Sequence, residues 1–407
     1  MLIQFVRKEF IEPVVEFVER KGLGHPDTLS DLLAEYLSVQ YSLYTKQKFG
    51  AVLHHNFDKV GLLGGSSYVK FGEGHLVNPI RVLLNGRAST RFGDEIIPVK
   101  ELLIDWSKSF LSKKLPEIDV AKDLEFHYNL SNTSSPGKTD LEVAKSGTRR
   151  YWFEPRNLGD VRELKQLVSN DTSLGVGFAP LSKLENFVLE IEHTLSSDDF
   201  RKSNPWIGSD IKIMGFKNQG NYYLTMCIPQ ISKYVKDISE YKNNQLYAEN
   251  FIRSIAKKYS MQSLELNINT RDNFENGEIY LTAIGSSIES GDEGLVGRGN
   301  RINGLITPFR VMSMEGSCGK NPVYHIGKVY YLAANEIAKE IFENFKISNE
   351  VCIVSQSGRL LVDPWIVLVT VPQDFNNFSE LEKLVKDEVS KVPNLTDGLL
   401  KEQFTLC

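Results

Sequence analysis

The feature that most constrains the fold of this chain is a glycine-rich segment at residues 291–304, GDEGLVGRGNRING. Its five glycines favour a loop that approaches a ligand closely, because glycine has no Cβ and leaves peptide N–H groups accessible. Arg298 and Arg301 add planar cations suited to phosphate oxygens. Neither P-loop nor Rossmann spacing is present. The residues alone fit either an unusual polyphosphate-binding loop or solvated arginines in a glycine-rich turn.

A further cation lies at the predicted start of a helix. Lys320 precedes Asn321 and Pro322, after which apolar residues recur at helical spacing. Asparagine is a preferred N-cap and proline is favoured at the first helical position, so we predict a helix beginning at Pro322. Its free N–H groups and dipole would favour phosphate beside Lys320. The pattern is also typical of a well-capped structural helix, but its neighbours Arg298 and Arg301 favour the phosphate interpretation.

The segment GHPD at residues 24–27 places polar groups at another predicted helix N-terminus. Asp27 could stabilise the helix dipole by roughly 0.3–1 kcal/mol. It could instead hold Mg²⁺, which commonly joins carboxylates to phosphates. His25 could donate a hydrogen bond to a leaving oxygen, or it could satisfy backbone groups. The residues leave both pairs of alternatives open.

Charge and composition exclude several functional classes. The net charge of −5 and the pI near 5.9 argue against a general nucleic-acid or membrane-surface binder. The four cysteines are widely spaced, which favours neither a zinc site nor a disulfide framework and fits a reducing cytoplasm. The N-terminus lacks a signal-peptide pattern, and the apolar runs are strand-sized. We therefore expect a soluble cytoplasmic protein.

Helix and strand patterns alternate along the whole chain. The sequence predicts an α+β fold whose helices cover one face of mostly antiparallel sheets. The predicted helices lie at residues 26–47, 182–195, 245–259, from 322 onwards, and 379–391. The predicted strands lie within 51–67 and 79–89 and at 124–130, 210–216, 222–228, 263–270, 278–284, 350–355 and 365–371.

Ordered motifs over nearly the whole chain resemble the archaeal-type methionine adenosyltransferase (S-adenosylmethionine synthetase) family. They are VERKGLGHPDTLSD from residue 18, LHHNFDK from 53, NGRAS from 85, NDTSLGVGFAPLS from 170, GDEGLVGRGNRINGLITPFRVMSME from 291 and GKNPVYHIGK from 319. Because long motifs occur in the family's order, accidental similarity is very improbable.

The resemblance implies one S-adenosylmethionine synthetase-like unit over residues 1–407, built from three pseudo-threefold-related αβ subdomains. We place these approximately at residues 1–135, 136–260 and 261–407, with interleaving expected. The resemblance also implies ATP and methionine as substrates, Mg²⁺ and possibly K⁺ as cofactors, and a homodimer with active sites at the interface. In the family, the methionine sulfur attacks C5′ of ATP and the released triphosphate is cleaved to pyrophosphate and phosphate.

Carried onto this sequence, the resemblance implies three groups of site residues. The catalytic residues would be His25, Arg298 and Lys320, and Asp27 would bind the metal. The residues contacting ATP or its triphosphate would be Gly137, Lys138, Asp140, Asp171, Ser173, Arg301 and Lys328. Asp292 and Asp58 would contact the methionine or the ribose.

Three departures from the family pattern leave alternatives open. Residues 135–140 read SPGKTD where the family commonly has GQGSxD, and proline removes a backbone donor there. Tyr324 replaces a typical asparagine, and Glu73 and His75 interrupt a glycine-rich stretch. A relative specialised for a methionine analogue or another nucleotide is one alternative. An inactive nucleotide-binding regulatory subunit is another.

Overall fold

The protein is described by a computed structural model for residues 1–133 and 151–407. The helices within these ranges are α1 Pro26–Phe49, α2 Val99–Lys114, α3 Lys183–Leu195, α4 Asp198–Ser203, α5 Ile238–Lys258, α6 Ile326–Phe345, α7 Phe378–Ser390 and α8 Leu395–Leu400. The strands are β1 Leu2–Lys8, β2 Val15–Lys21, β3 His55–Asn56, β4 Gly61–Leu63, β5 Ser66–Lys70, β6 Glu73–Asn78, β7 Ile80–Ala88, β8 Arg91–Phe92, β9 Glu95–Ile96, β10 Leu124–Ser131, β11 Leu174–Ala179, β12 Lys212–Asn218, β13 Asn221–Cys227, β14 Gln230–Ile231, β15 Leu264–Ile268, β16 Leu281–Thr282, β17 Glu293–Leu295, β18 Asn349–Val354 and β19 Ile366–Pro372.

Three principal sheets organise the described residues. Their strand orders are β10-β7-β4-β17, with β3 also paired to β7, then β15-β13-β12-β2, and β1-β19-β18-β11. Most neighbouring strands are antiparallel, whereas β1–β19, β7–β10 and β13–β15 are parallel. The predicted α+β class is therefore confirmed.

Each principal sheet shares a hydrophobic core with two of the longer helices. The first sheet packs with α1 and α2, the second with α3 and α5, and the third with α6 and α7. Because β1 and β2 lie at the N-terminus but join sheets built mostly from later residues, the three units interleave along the chain. The division at residues 135 and 260 stays a prediction.

Local capping explains several helix boundaries. Proline occupies the first turn of α1, and Gly50 ends that helix in the left-handed region at φ 79°. Ser182 and Glu185 form a reciprocal capping box at the start of α3. The helices predicted at residues 26–47, 182–195 and 379–391 are thus confirmed to within a few residues. The strands predicted at 124–130, 350–355 and 365–371 and the hairpin of β12 and β13 are confirmed as well.

Three predictions need correction, and one long helix was not predicted. The helix predicted from residue 245 begins at Ile238, because Asp237 caps it by accepting the N–H of Glu240. The helix predicted from Pro322 begins at Ile326 after the N-cap His325. Of the strand predicted at 278–284, only Leu281–Thr282 forms a strand. The sequence analysis also missed α2, although its apolar residues repeat at helical spacing.

In the described part of the chain, every helix is too short or too polar to span a bilayer.

Candidate active site

The candidate site is organised by a polar stripe along one face of α1, formed by Asp27, Asp31, Glu35 and Ser38. Spacings of four, four and three residues bring these side chains onto the same side of a helix. Asp31 is 2% exposed and Ser38 is fully buried. Near the N-terminus of α1, the stripe contacts the glycine-rich segment. Farther along the helix, it contacts the loop before α6.

His25 and Asp27 form the N-terminal end of the site. His25 is the N-cap of α1, and its Nδ1 accepts the N–H of Asp27 at 3.2 Å. Burial lowers the pKa of His25 to about 4, against the opposing effect of the nearby Asp27 carboxylate. At neutral pH its imidazole is therefore neutral, with Nδ1 as acceptor and Nε2 as the donor.

Asp27 links α1 to two neighbouring segments. Its Oδ2 lies 2.8 Å from Nζ of Lys21, and its Oδ1 accepts the N–H of Leu295 at 3.1 Å. Gly294 makes this approach possible, because a Cβ there would lie only 1.9 Å from the carbonyl oxygen of Pro26. Lys21 also donates to the carbonyl of Arg298 at 2.9 Å.

The glycine-rich loop is fixed by charged groups on both sides of its backbone. Asp31 Oδ1 accepts the N–H of Gly297 at 2.8 Å, while the guanidinium of Arg301 donates to the carbonyls of Gly297 and Gly299, each at 2.8 Å. Burial raises the pKa of Asp31 to about 7. The side chain of Arg298 is exposed and has no hydrogen bond or ion pair to another described residue.

A second cluster surrounds Lys320. Its ammonium contacts the carboxylate of Glu315 and sits at the first turn of α6, where a Cβ on Gly327 would lie 2.6 Å from Nζ. Glu315 also accepts a hydrogen bond of 2.6 Å from Ser173. Burial lowers the pKa of Lys320 to about 8, whereas the negative charge of Asp58 opposes this. Lys320 therefore lies at the N-terminus of α6 as predicted, although that helix begins at Ile326 and not at Pro322.

Several cations surround His325 in the second cluster. Burial holds the pKa of His325 well below its usual value, and four neighbouring cations lower it further, namely Lys320, Lys328, Lys59 and Arg87. Lys328 itself is fully buried, and its Nζ lies 2.6 and 2.7 Å from the two carboxylate oxygens of Glu35. Glu35 also accepts the N–H of Gly319 at 2.9 Å.

An acidic pair lies near His25. Ser287 donates from its hydroxyl to Asp210 at 2.5 Å and approaches Asp292 at 2.9 Å. Burial raises the pKa of Asp210 to about 6, and Asp292 adds a repulsive negative charge. Asp292 therefore lies beside the His25 end of α1.

The predicted site residues fall into two groups. His25, Asp27, Asp292, Arg298 and Arg301 lie around the N-terminal end of α1. Lys320, Lys328, Asp58, Asp171 and Ser173 lie around the start of α6, where Asp58 and Asp171 act electrostatically on Lys320. Along α1, Asp27 and Glu35 are eight residues apart, roughly 12 Å. Gly137, Lys138 and Asp140 lie outside the described residues.

Comparison with known proteins identifies the family of the chain. The sequence pattern of the family described as S-adenosylmethionine synthetase (AdoMet synthetase) matches residues 2–403. The chain belongs to the S-adenosylmethionine synthetase family.

Individual members of the synthetase family agree with this assignment. The chain is 39% identical over 405 residues to the S-adenosylmethionine synthase of Archaeoglobus fulgidus, covering 98% of this chain and 97% of the relative. It is 37% identical over 404 residues to the probable S-adenosylmethionine synthase of Aquifex aeolicus, with 97% of each chain covered. The structure of an unusual S-adenosylmethionine synthetase from Campylobacter jejuni shares the fold, with a TM-score of 0.57, 12% identity and coverage of 94% and 90%.

In this member of the synthetase family, five residues that hold the predicted site residues in place were not themselves predicted as site residues. They are Lys21, Asp31, Glu35, Asp210 and Glu315. A signal for two of them was present, since Asp27, Asp31 and Glu35 recur every four residues in a helix predicted to be amphipathic. The others depend on contacts between residues far apart in sequence.

A cavity of about 680 Å³ opens beside the end of the glycine-rich segment, where Ile302, Asn303 and Gly304 line it. It is bounded by α3, α6 and the end of the chain, including His193, Asn335, Lys339 and Phe404. We place the candidate site at the two clusters because a triphosphate requires several cations close together, and volume alone does not provide them.

Proposed function

We propose that this protein is a methionine adenosyltransferase that forms S-adenosylmethionine from ATP and L-methionine. Membership of the synthetase family supports the reaction. The single structural observation that carries the proposal is the clustering of Lys320 and Lys328 at the N-terminus of α6, where Glu315 and Glu35 hold the two ammonium groups. Cations held at a helix N-terminus suit a polyphosphate leaving group.

The proposed reaction requires no general base. A thioether sulfur has a free lone pair, so it forms the new bond to C5′ while the C5′–O bond to the triphosphate breaks and its electron pair leaves with oxygen. The sulfur becomes a sulfonium cation. The main task of the protein is therefore to stabilise negative charge on the departing triphosphate, for which preorganised cations supply several kcal/mol.

We assign this task to residues from both clusters. Neutral His25 donates from Nε2 toward the bridging oxygen, and Arg298 supplies an exposed guanidinium that pairs with no other described residue. Lys320 binds the phosphates after exchanging its contact with Glu315 for the substrate. Asp171 and Ser173 line the nucleotide side, while Asp58 and Asp292 contact the ribose or methionine end. Water then cleaves the triphosphate to pyrophosphate and phosphate.

Two further assignments concern the triphosphate. Arg301 and Lys328 were predicted to bind it directly. In this structure Arg301 donates to loop carbonyls and Lys328 pairs with Glu35. The pairing of Lys328 is compatible with a supporting electrostatic role, in which it contributes positive charge while its donors remain engaged. The donors of Arg301 instead hold the backbone of the loop that carries Arg298.

The start of α1 offers Mg²⁺ one carboxylate ligand in Asp27, whose side chain is 13% exposed. Asp292 acts electrostatically on the adjacent His25, and the described residues bring no three His, Cys, Asp or Glu side chains together as a complete metal site. Carboxylate oxygens are the ligands that this ion prefers. We propose that Asp27 holds Mg²⁺ and that Lys21 then releases its ion pair. The ion would neutralise phosphate charge. We propose K⁺ as a second cofactor, as the family resemblance implies.

We also propose that the protein is a cytoplasmic homodimer whose active sites lie at the subunit interface. An exposed apolar segment directly precedes the Lys320 loop, with Phe309 62% and Met314 91% exposed. A soluble protein seldom leaves such large side chains in water beside a charged site, so a second copy is the expected partner. Sedimentation of the wild type and of Met314→Asp tests this, because loss of dimer and activity together is expected.

The activity is tested by incubating the full chain with ATP, methionine, Mg²⁺ and K⁺, then measuring S-adenosylmethionine, triphosphate, pyrophosphate and phosphate. Lys320→Met should lower product formation by about 100-fold or more. Lys339→Met is the matched control, since Lys339 lies on the exposed side of α6 and pairs with Glu336 on the same helix. Absence of S-adenosylmethionine with wild-type protein over a wide substrate range would overturn the proposal.

A further inference from the structure

The exposed guanidinium of Arg298 is carried by a loop that has little structure of its own. Gly297 and Gly299 flank it, and Gly297 adopts a positive φ of 85° that only glycine takes readily. Such a backbone has many accessible conformations, so an arginine on it would lose its orientation unless other residues held the peptides in place.

Lys21 donates to the carbonyl of Arg298 itself, and two further residues hold the peptides of the flanking glycines, one on each side of the loop backbone. Asp31 lies on the N–H side, where its Oδ1 accepts from Gly297 at 2.8 Å. Its Oδ2 faces Gly299 closely, since a Cβ on that glycine would lie 2.4 Å away. Arg301 lies on the carbonyl side, where one nitrogen, Nη2, donates to both Gly297 and Gly299 at 2.8 Å.

Arg301 is poorly placed to bind substrate through the same donors. Its Nη2 already serves two carbonyls, and Nη1 faces the carbonyl of Ser313 at 3.4 Å. Binding a phosphate through these nitrogens would leave loop carbonyls unpaired, which is unfavourable for buried groups. Arg298 has no such competing partner among the described residues.

We propose that Asp31 and Arg301 are positioning residues, which act on the reaction only by fixing the loop that presents Arg298 to the triphosphate. This inference rests on the proposed methionine adenosyltransferase activity. It differs from the direct triphosphate contact expected for Arg301 from the family resemblance, and it gives Asp31 a role that the sequence motifs do not indicate.

A double-mutant cycle on the full-length protein tests the proposal. Arg298→Met and Arg301→Met should each lower kcat on the order of 100-fold, while the KM for ATP changes by less than about threefold. If Arg301 acts only through Arg298, the double variant should be no slower than Arg298→Met. A further drop in the double variant, by a factor near that of Arg301→Met alone, would overturn the proposal.

Matched variants separate positioning from general destabilisation. Arg310→Met removes another partly buried arginine, which pairs with Glu185 outside this loop, and should leave kcat within about twofold of wild type. Asp31→Asn keeps an oxygen for the N–H of Gly297 and should retain more activity than Asp31→Ala. The proposal fails if these two Asp31 variants are equally active.

The outcome remains decisive if Arg301→Met does not fold. Arg301→Lys can still donate to one carbonyl, so Arg301→Lys and Arg298→Met/Arg301→Lys would complete the same cycle. Multiplicative losses in that cycle would again refute positioning. An inactive wild-type protein would refute the proposed function itself, which distinguishes the two failures.

Discussion

Replacing Lys328 with methionine should destabilise the fold strongly, because this cation is buried and has one principal partner. Its side chain is 0% exposed, and both carboxylate oxygens of Glu35 lie within 2.7 Å of Nζ. Removing the ammonium would leave a carboxylate that is only 16% exposed. Breaking a buried pair in this way costs about 3–5 kcal/mol.

The control lies on the same helix. Lys339 pairs with Glu336 at 2.7 Å, but its side chain is 64% exposed, so water screens the interaction. Lys339→Met should therefore change the free energy of unfolding by less than about 0.5 kcal/mol. Since both substitutions remove a lysine from α6, helix propensity is matched and burial is the main difference.

Urea unfolding, followed by circular dichroism, measures the free energies of Lys328→Met, Glu35→Gln and the double variant. Glutamine keeps an acceptor for the N–H of Gly319 and removes the orphaned charge. The double variant should be more stable than the sum of the two single losses predicts, by about 1–3 kcal/mol. Strict additivity, or a Lys328→Met loss below about 1 kcal/mol, would refute the buried-pair reasoning.

Three further predictions concern the site. The pKa of Lys320 is lowered to about 8, so kcat/KM for ATP should fall as pH rises through 8, and Lys320→Arg should move this fall to higher pH. The pKa of Asp31 is raised to about 7; the folded state therefore binds more protons than the unfolded state between pH 4 and 7. As pH rises across this window, the free energy of unfolding of the wild type should fall relative to that of Asp31→Asn. Denaturation measured at pH 4 and at pH 8 should show a relative fall of at most roughly 4 kcal/mol. Gly294→Ala places a Cβ 1.9 Å from the carbonyl of Pro26 and should abolish folding or activity, whereas Gly220→Ala, with no atom within 4 Å, should cost about 1 kcal/mol in thermal unfolding.

Local sequence chemistry predicted elements whose boundaries depend on their own residues. The start of α1 at Pro26 and the capping box of α3 are examples, since proline position and reciprocal side-chain bonds act within one turn. The start of α6 was misplaced because Asn321 serves other partners. Its Nδ2 donates to the carbonyl of Leu53, and its Oδ1 accepts from Val323 two residues on.

Sheet membership could not be predicted in the same way. β1 pairs with β19, and β2 pairs with β12, across separations of hundreds of residues. Alternation within a strand indicates which side chains share a face, but it does not indicate which distant strand will be the neighbour. For the same reason Glu315, which ends the motif quoted from residue 291, was given no role, although its carboxylate contacts the ammonium of Lys320.

The polar stripe of α1 also changes how the glycine-rich motif is understood. From the sequence, the peptide N–H groups of the motif were expected to bind phosphate. In the structure, Asp27 accepts the N–H of Leu295 and Asp31 accepts the N–H of Gly297. Glu35 accepts the N–H of Gly319 in the next loop. The glycines therefore serve close packing against α1 more than anion binding by the backbone. Positive charge for the triphosphate must come from side chains held by this packing. Glycine substitutions should consequently act through α1, and their effects on stability and on activity should rise together.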